Sequence, residues 1–253
     1  MLTTLYVVRH AHRMNHGAFG PASDVARDPP LTARGEEQLG HLASFVAAMP
    51  ANEQPQLLVC SPYTRCLRTA MPLAEALPDV PLVVEPGLSE WFAPVWPAST
   101  GRHPSPRAAE HQWTPLLYPD PMGESISDIH ARMKEVLRRI EARCEAWHVE
   151  RVLFVTHAAP AIALGRMLQT TGSYDDVAHL EIRAATASVS KYERDNDVWR
   201  CLYHGRTSFL PHGEERLWDF SFVPSNNTEP GMGAAWHDPY MPTDPSLYFR
   251  AKL

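Results

Sequence analysis

The chain lacks several features that would have placed it quickly. No stretch reaches the roughly 18 consecutive apolar residues of a membrane-spanning helix, although hydrophobic types make up 44% of its 253 residues. No membrane is therefore expected as a partner. The opening "MLTTLYVV" has no cationic n-region, and its apolar run is short for a signal peptide. There are four cysteines, Cys60, Cys66, Cys144 and Cys201, and none forms a CxxC pair. Reduced thiols and a cytoplasmic or nuclear location are expected, not a disulfide scaffold. Thirteen histidines include no HExxH or similar metal spacing. Positive charge is not in excess: 23 Lys and Arg against 29 Asp and Glu leave a net charge of −6. That argues against direct nucleic-acid binding while leaving room for one local basic pocket. Neither a repeat of about 20–50 residues nor a clean linker is visible. The expectation is one domain over 1–253, long enough to bury a full core without disulfides or metals.

What is present is an alternation of strands and helices. "TLYVVR" at 4–9, "QLLVCS" at 56–61, a stretch at about 82–85 and "RVLFVTH" at 151–157 are apolar without polar alternation, as in strands buried on both faces. Between them, Thr32 can cap a helix whose apolar face is Leu39, Leu42, Phe45 and Val46. "SPYTRCLRTAMPLAEAL" also reads as helical, but Pro72 is expected to kink or break it. The clearest helix is "ESISDIHARMKEVLRRIEARCEAWH", with Ser125 and Asp128 at its start. "AAPAIALGRMLQ" tolerates Pro160 in its first turn, and "ASVSKYERDNDVWRCLY" reads as a hairpin turning at Asp195–Asn196–Asp197. This pattern predicts an α/β fold, a three-layer α/β/α sandwich around a mainly parallel sheet. Residues 91–124 are rich in proline and aromatics, including Trp91, Trp96 and Trp113, and are expected to form a lid-like insertion. Residues 221–253 are expected to be a docked C-terminal tail.

Chemistry collects at the strand ends. The first strand ends in Arg9 and His10, with Arg13 close behind; the second runs into Ser61-Pro62-Tyr63-Thr64-Arg65; the fourth ends in His157. In parallel α/β sheets, ligands sit beyond the carboxyl ends of the strands. Each feature alone has a plain reading: a solvated loop start, a surface arginine, a core histidine. Together they predict a rim where cations and imidazoles meet a charge, and phosphate is the expected one.

These segments resemble the motifs of the histidine phosphatase superfamily, which includes the phosphoglycerate mutases. Arg9-His10-Ala11 is similar to the family's RHG box, with alanine in place of glycine, and "LTARGEEQ" to its LTxxGxxQ box. "SPYTRCLRTA" resembles SPxxRxxxTA, "LSEW" the segment bearing the acid glutamate, and "VTHA" the second histidine box. They follow the family order from residue 5 to 165. Within the family, Arg13 departs from the serine usual in cofactor-dependent mutases, and Ala158 from the aspartate of histidine acid phosphatases. "RHAHRM" and "EPGLSEW" look most like the phosphatase domain of the suppressor of T-cell receptor signalling proteins and the phosphatase-like tau subunit of a fungal RNA polymerase III factor. "THAAPAIALG" and "SFLPHGEERLWDF" look like the latter group, extending the likeness to about residue 220.

The resemblance implies a phosphoglycerate mutase-like fold and hydrolysis of a phosphomonoester, on a small molecule or a phosphoprotein, through a phosphohistidine. It makes His10 the nucleophile and Glu90 the general acid, and has Arg9, Arg13, Arg65 and His157 hold the phosphate. Neither metal nor other cofactor is expected. A backbone carbonyl, in the 11–17 loop or elsewhere, is expected to fix the His10 tautomer. Glu85 is expected to be structural, and Glu124 to favour the positive end of the long helix. His12 and His16 read as rim or surface residues. Ala11 would hamper phosphate approach if its backbone needed a glycine conformation. The resemblance also allows a second class of function, a phosphatase-fold interaction subunit of a transcription complex with little or no activity.

Overall fold

The computed structural model describes residues 1–14, 28–91, 113–120 and 123–220. Most of the predicted lid, including Trp96, as well as His16 and the predicted tail, lie outside the described residues.

Four strands, β1 (Thr4–Arg9), β2 (Leu57–Cys60), β3 (Leu82–Val84) and β4 (Arg151–Thr156), form where continuous apolar runs predict them. β5 (Val189–Asp195) and β6 (Val198–Arg206) complete a six-stranded sheet in the order β3-β2-β4-β1-β5-β6. The first four pair in parallel, and β5 runs antiparallel to β1. The β5–β6 turn is the two-residue Asn196-Asp197, both with positive φ (49° and 67°), as a twist-matched hairpin requires.

Helices cover both faces. α1 (Ala33–Ala47) and α2 (Thr64–Ala76) lie on one side; α3 (Ile126–Trp147) and α4 (Ala158–Met167) lie on the other. The period of two along the strands sorts the core. Tyr6, Val8, Leu58, Cys60, Leu153 and Val155 pack with Leu42 and Val46 of α1 and with Leu73 of α2. Leu5, Val7, Leu57, Val59, Val152 and Phe154 pack with Ile129, Met133 and Ile140 of α3 and with Ile162 of α4. The fold is the expected three-layer α/β sandwich.

Local signals were read correctly at the helix starts. Thr32 accepts a hydrogen bond from the Gly35 N–H, and Ser125 with Asp128 forms a reciprocal capping box. Of the kink or break expected at Pro72, the break does not occur: α2 runs from Thr64 to Ala76 across it. The carbonyl that loses its partner to the proline ring belongs to Arg68, an exposed residue, so water can serve it.

Candidate active site

The parallel register brings three strand ends to one rim. The His10 N–H bonds the Thr156 carbonyl at 2.8 Å, and the Ser61 N–H bonds the Val155 carbonyl at 2.9 Å. Strands β1, β4 and β2 therefore deliver His10, His157 and Ser61 side by side. The His10 and His157 rings stand 5.3 Å apart, nearly edge to face, and both residues are buried.

Hydrogen bonding fixes both tautomers. His10 Nδ1 lies 2.8 Å from the Ala11 carbonyl oxygen. A carbonyl only accepts, so Nδ1 carries the proton and Nε2 keeps a free lone pair. His157 Nδ1 receives an Arg65 Nη2 hydrogen at 3.0 Å, so its proton sits on Nε2 and is donated to Ser61 Oγ at 2.8 Å. Burial, then Arg65 and Arg9, push the His10 pKa well below 6.5. Burial, then Arg65 and His10, do the same for His157. Both rings are neutral in the free protein.

Three guanidiniums surround this pair. Arg9 is buried; its Nη1 donates to the Ala184 and Arg216 carbonyls at 2.6 and 2.5 Å, while its Nε has no partner. Burial lowers its pKa to about 10, with Arg13, Arg65 and Arg216 adding repulsion against the pull of Glu90. Arg13 is likewise lowered to about 10, by burial and then by Arg65. Arg65 is 2% exposed and also has an unpartnered Nε. Burial disfavours its charge, but Asp28, Cys66, Glu90 and Tyr63 outweigh that and raise its pKa. Its Cζ stands over the Tyr63 ring, 4.4 Å from the centroid. Glu90 closes the ring of charges, with Oε2 3.5 Å from His157 Nδ1 and 3.9 Å from Arg65 Nη2. All six residues predicted from the sequence are thus gathered in one place.

Several contributors were not foreseen. Asp28 accepts from Arg65 Nη1 at 2.9 Å and from the Thr64 N–H at 2.6 Å. It caps α2 from a distance, where the N-cap residue Tyr63 makes no side-chain cap. Nothing in the local sequence marks this aspartate. The "LTARGEEQ" box was recognised, and the structure shows its purpose. Gln38 accepts the His12 N–H at 2.8 Å, and the Thr32 N–H bonds the His12 carbonyl at 3.0 Å. A Cβ on Gly35 would sit 2.1 Å from that same carbonyl oxygen, so only glycine lets α1 support the 10–13 loop. His12 is held in this scaffold, its Nδ1 2.8 Å from Thr32 Oγ1.

Ala11 does not need glycine freedom. Positive φ among the described non-glycine residues is confined to His148, Ala187, Asn196, Asp197 and Arg216. The Ala11 methyl packs with Leu39, Ala187 and Leu210, and its N–H bonds Thr69 Oγ1 at 3.0 Å. Glu85 is structural: its carboxylate accepts the N–H groups of Gly87, Leu116 and Leu117. Glu124, expected to favour the positive end of the long helix, immediately precedes its N-cap and has its carboxylate held bidentately by buried Arg132, at 2.5 and 2.8 Å.

The comparisons agree with this geometry. The model for the histidine phosphatase superfamily (branch 1) matches residues 5–207. The transcription factor tau 55 kDa subunit of Saccharomyces cerevisiae is 30% identical over 88% of this chain, and the chain spans 60% of that protein's length. A protein of Serratia proteamaculans named "Probable phosphoglycerate mutase GpmB" is 27% identical over 77% of this chain and 86% of its own. Among solved structures, a mycobacterial glucosyl-3-phosphoglycerate phosphatase in complex with VO3 shares the fold, with a TM-score of 0.55 at 21% identity, covering 81% of this chain and 100% of that one. With two buried neutral histidines at adjacent strand ends and arginines around them, this chain belongs to the histidine phosphatase superfamily.

Proposed function

We propose that the chain is a metal-independent phosphatase that hydrolyses phosphomonoesters through a phosphohistidine on His10. The observation that carries this reading is the free lone pair of buried, neutral His10 beside guanidiniums whose Nε groups have no partner. His10 Nε2 attacks phosphorus while the P–O bond to the leaving group breaks, and Glu90 supplies the proton that oxygen needs. Water then attacks the phosphohistidine, Glu90 takes its proton, and the P–N bond breaks to release inorganic phosphate and restore His10. Arg9, Arg13 and Arg65, with His157 beside them, hold the non-bridging oxygens. These fixed positive charges do the electrostatic work that a metal does in other phosphoryl-transfer sites.

A second reading rests on one observation, the likeness to the yeast tau subunit: a phosphatase-fold interaction subunit of a transcription complex, with a nuclear location. The two are separated by assaying the purified chain with para-nitrophenyl phosphate from pH 4 to 8 in EDTA. Turnover that His10→Ala abolishes supports the phosphatase. No turnover from a folded chain supports the interaction subunit.

A further inference from the structure

Five described non-glycine residues have positive φ, and three have ordinary causes. His148 ends α3 in a left-handed C-cap, and Asn196 and Asp197 make the hairpin turn. The other two, Ala187 (φ 55°) and Arg216 (φ 51°), both grip Arg9. The Ala187 N–H bonds the Arg9 and His10 carbonyls at 3.1 and 3.2 Å, and the Arg216 carbonyl accepts from Arg9 Nη1 at 2.5 Å. A left-handed conformation disfavours non-glycine residues by about 1–2 kcal/mol and persists only where surroundings enforce it.

The surroundings of Arg216 do enforce it. Upstream, Leu210 is buried with Ala11, Leu39 and Ala187; downstream, Phe220 is buried against Trp91 and Trp218. Between these anchors, the Glu215 carboxylate takes Arg34 Nε at 3.1 Å and Gln38 Nε2 at 2.9 Å, and its carbonyl takes the Thr186 N–H at 3.0 Å. The Arg216 guanidinium then donates through Nη1 to the Arg13 carbonyl at 2.8 Å. One residue thus touches two of the three arginines of the site, and its charge lowers the pKa of both, after burial and nearer charges.

We propose that Arg216 is a positioning residue of the phosphate site, resting on the phosphatase reading above. Its carbonyl orients the Arg9 fork, its guanidinium holds the loop that carries Arg13, and its charge adds to the positive field awaiting the anion. It lies outside the matched family segment, residues 5–207, so the clamp is finished by a segment beyond it.

The test measures inorganic phosphate binding by calorimetry on the full chain, together with kcat and KM for para-nitrophenyl phosphate. Arg216→Ala and Arg216→Gln are each expected to weaken phosphate binding and raise KM about tenfold, the usual scale for losing one charge-assisted bond. The melting temperature of the phosphate-free protein should stay within a few degrees, and kcat should fall less than KM rises. Arg216→Lys, which keeps the charge and a donor, should recover most of the affinity. Wild-type-like phosphate affinity in a folded Ala or Gln variant overturns the proposal; if Ala does not fold, Gln decides. A wild-type chain that binds no phosphate sinks the active-site reading and this inference with it. Unchanged binding in the variants sinks the inference alone.

Discussion

Arg132 and Arg9 are both buried guanidiniums, and they live in opposite circumstances. Arg132 has a full set of partners: both Glu124 oxygens, and the Gly87 and Ser89 carbonyls at 2.6 and 2.9 Å. Arg9 has two carbonyls, an unpartnered Nε, and three arginines pressing on it. A structural arginine brings its counterion with it. Arg65 too has a carboxylate partner, Asp28, but Arg9 and Arg13 have their charge disfavoured by burial and by the other arginines, a state that costs stability until an anion arrives.

The largest expected effect lies at the centre of the undersupplied region. On the proposed phosphatase reading, His10→Ala should cut kcat by more than about 10³-fold while phosphate binding survives, because that reading makes His10 the nucleophile and leaves the clamp intact. Next, Arg65→Met should cost about 10²–10³ in kcat, the scale of losing one oxyanion contact. Steady-state kinetics check both.

The supplied region should respond in stability. Arg132→Met leaves Glu124 buried and unpaired and should cost about 3–5 kcal/mol in urea unfolding. Adding Glu124→Leu should recover most of that, since an apolar pair replaces a buried ionic one at little cost. If the single variant unfolds at the wild-type urea midpoint, the contrast between the two regions collapses. Arg13→Met sharpens the same contrast from the other side. It should weaken phosphate binding about tenfold, yet change phosphate-free stability by no more than about 0.5 kcal/mol. A large loss of stability there would make Arg13 structural.

The smallest effect is in pH. Burial holds His130 at about 4, below its ordinary 6.5, and also lowers His10 and His157 well below that value. Below pH 6.5 the unfolded chain binds protons that the folded chain refuses, so stability falls as pH drops from 6.5 toward 4. Melting temperatures across that window should decline, and His130→Phe should make the decline shallower. A flat profile for the wild-type chain would contradict the neutral buried rings.

Much of this was legible in the residues. Uninterrupted apolar runs specify strands buried on both faces, and β1, β2 and β4 formed within a residue of where "TLYVVR", "QLLVCS" and "RVLFVTH" put them. Arg9, His10 and His157 stood out because charged and imidazole groups are costly at the end of a buried strand. The break offered at Pro72 does not form, because the cost of proline depends on whether the orphaned carbonyl can reach water, which is a property of the folded surface. The pairing of Glu124 with Arg132 was not legible, because it depends on burial of both groups in the folded core. Asp28 was missed entirely, since its bond to Arg65 spans 37 positions and no local pattern announces it.

The sequence alone determined the layers, the strand ends and the chemical types gathered there, because burial and periodicity act locally along the chain. Only the tertiary structure decided which nitrogen of each histidine holds the proton, which guanidinium nitrogens stay without a partner, and that the segment at Glu215–Arg216 returns to grip Arg9 and Arg13. Those outcomes depend on distances between groups far apart in the chain, and electrostatics in a buried site follows distance in space, not separation along the chain.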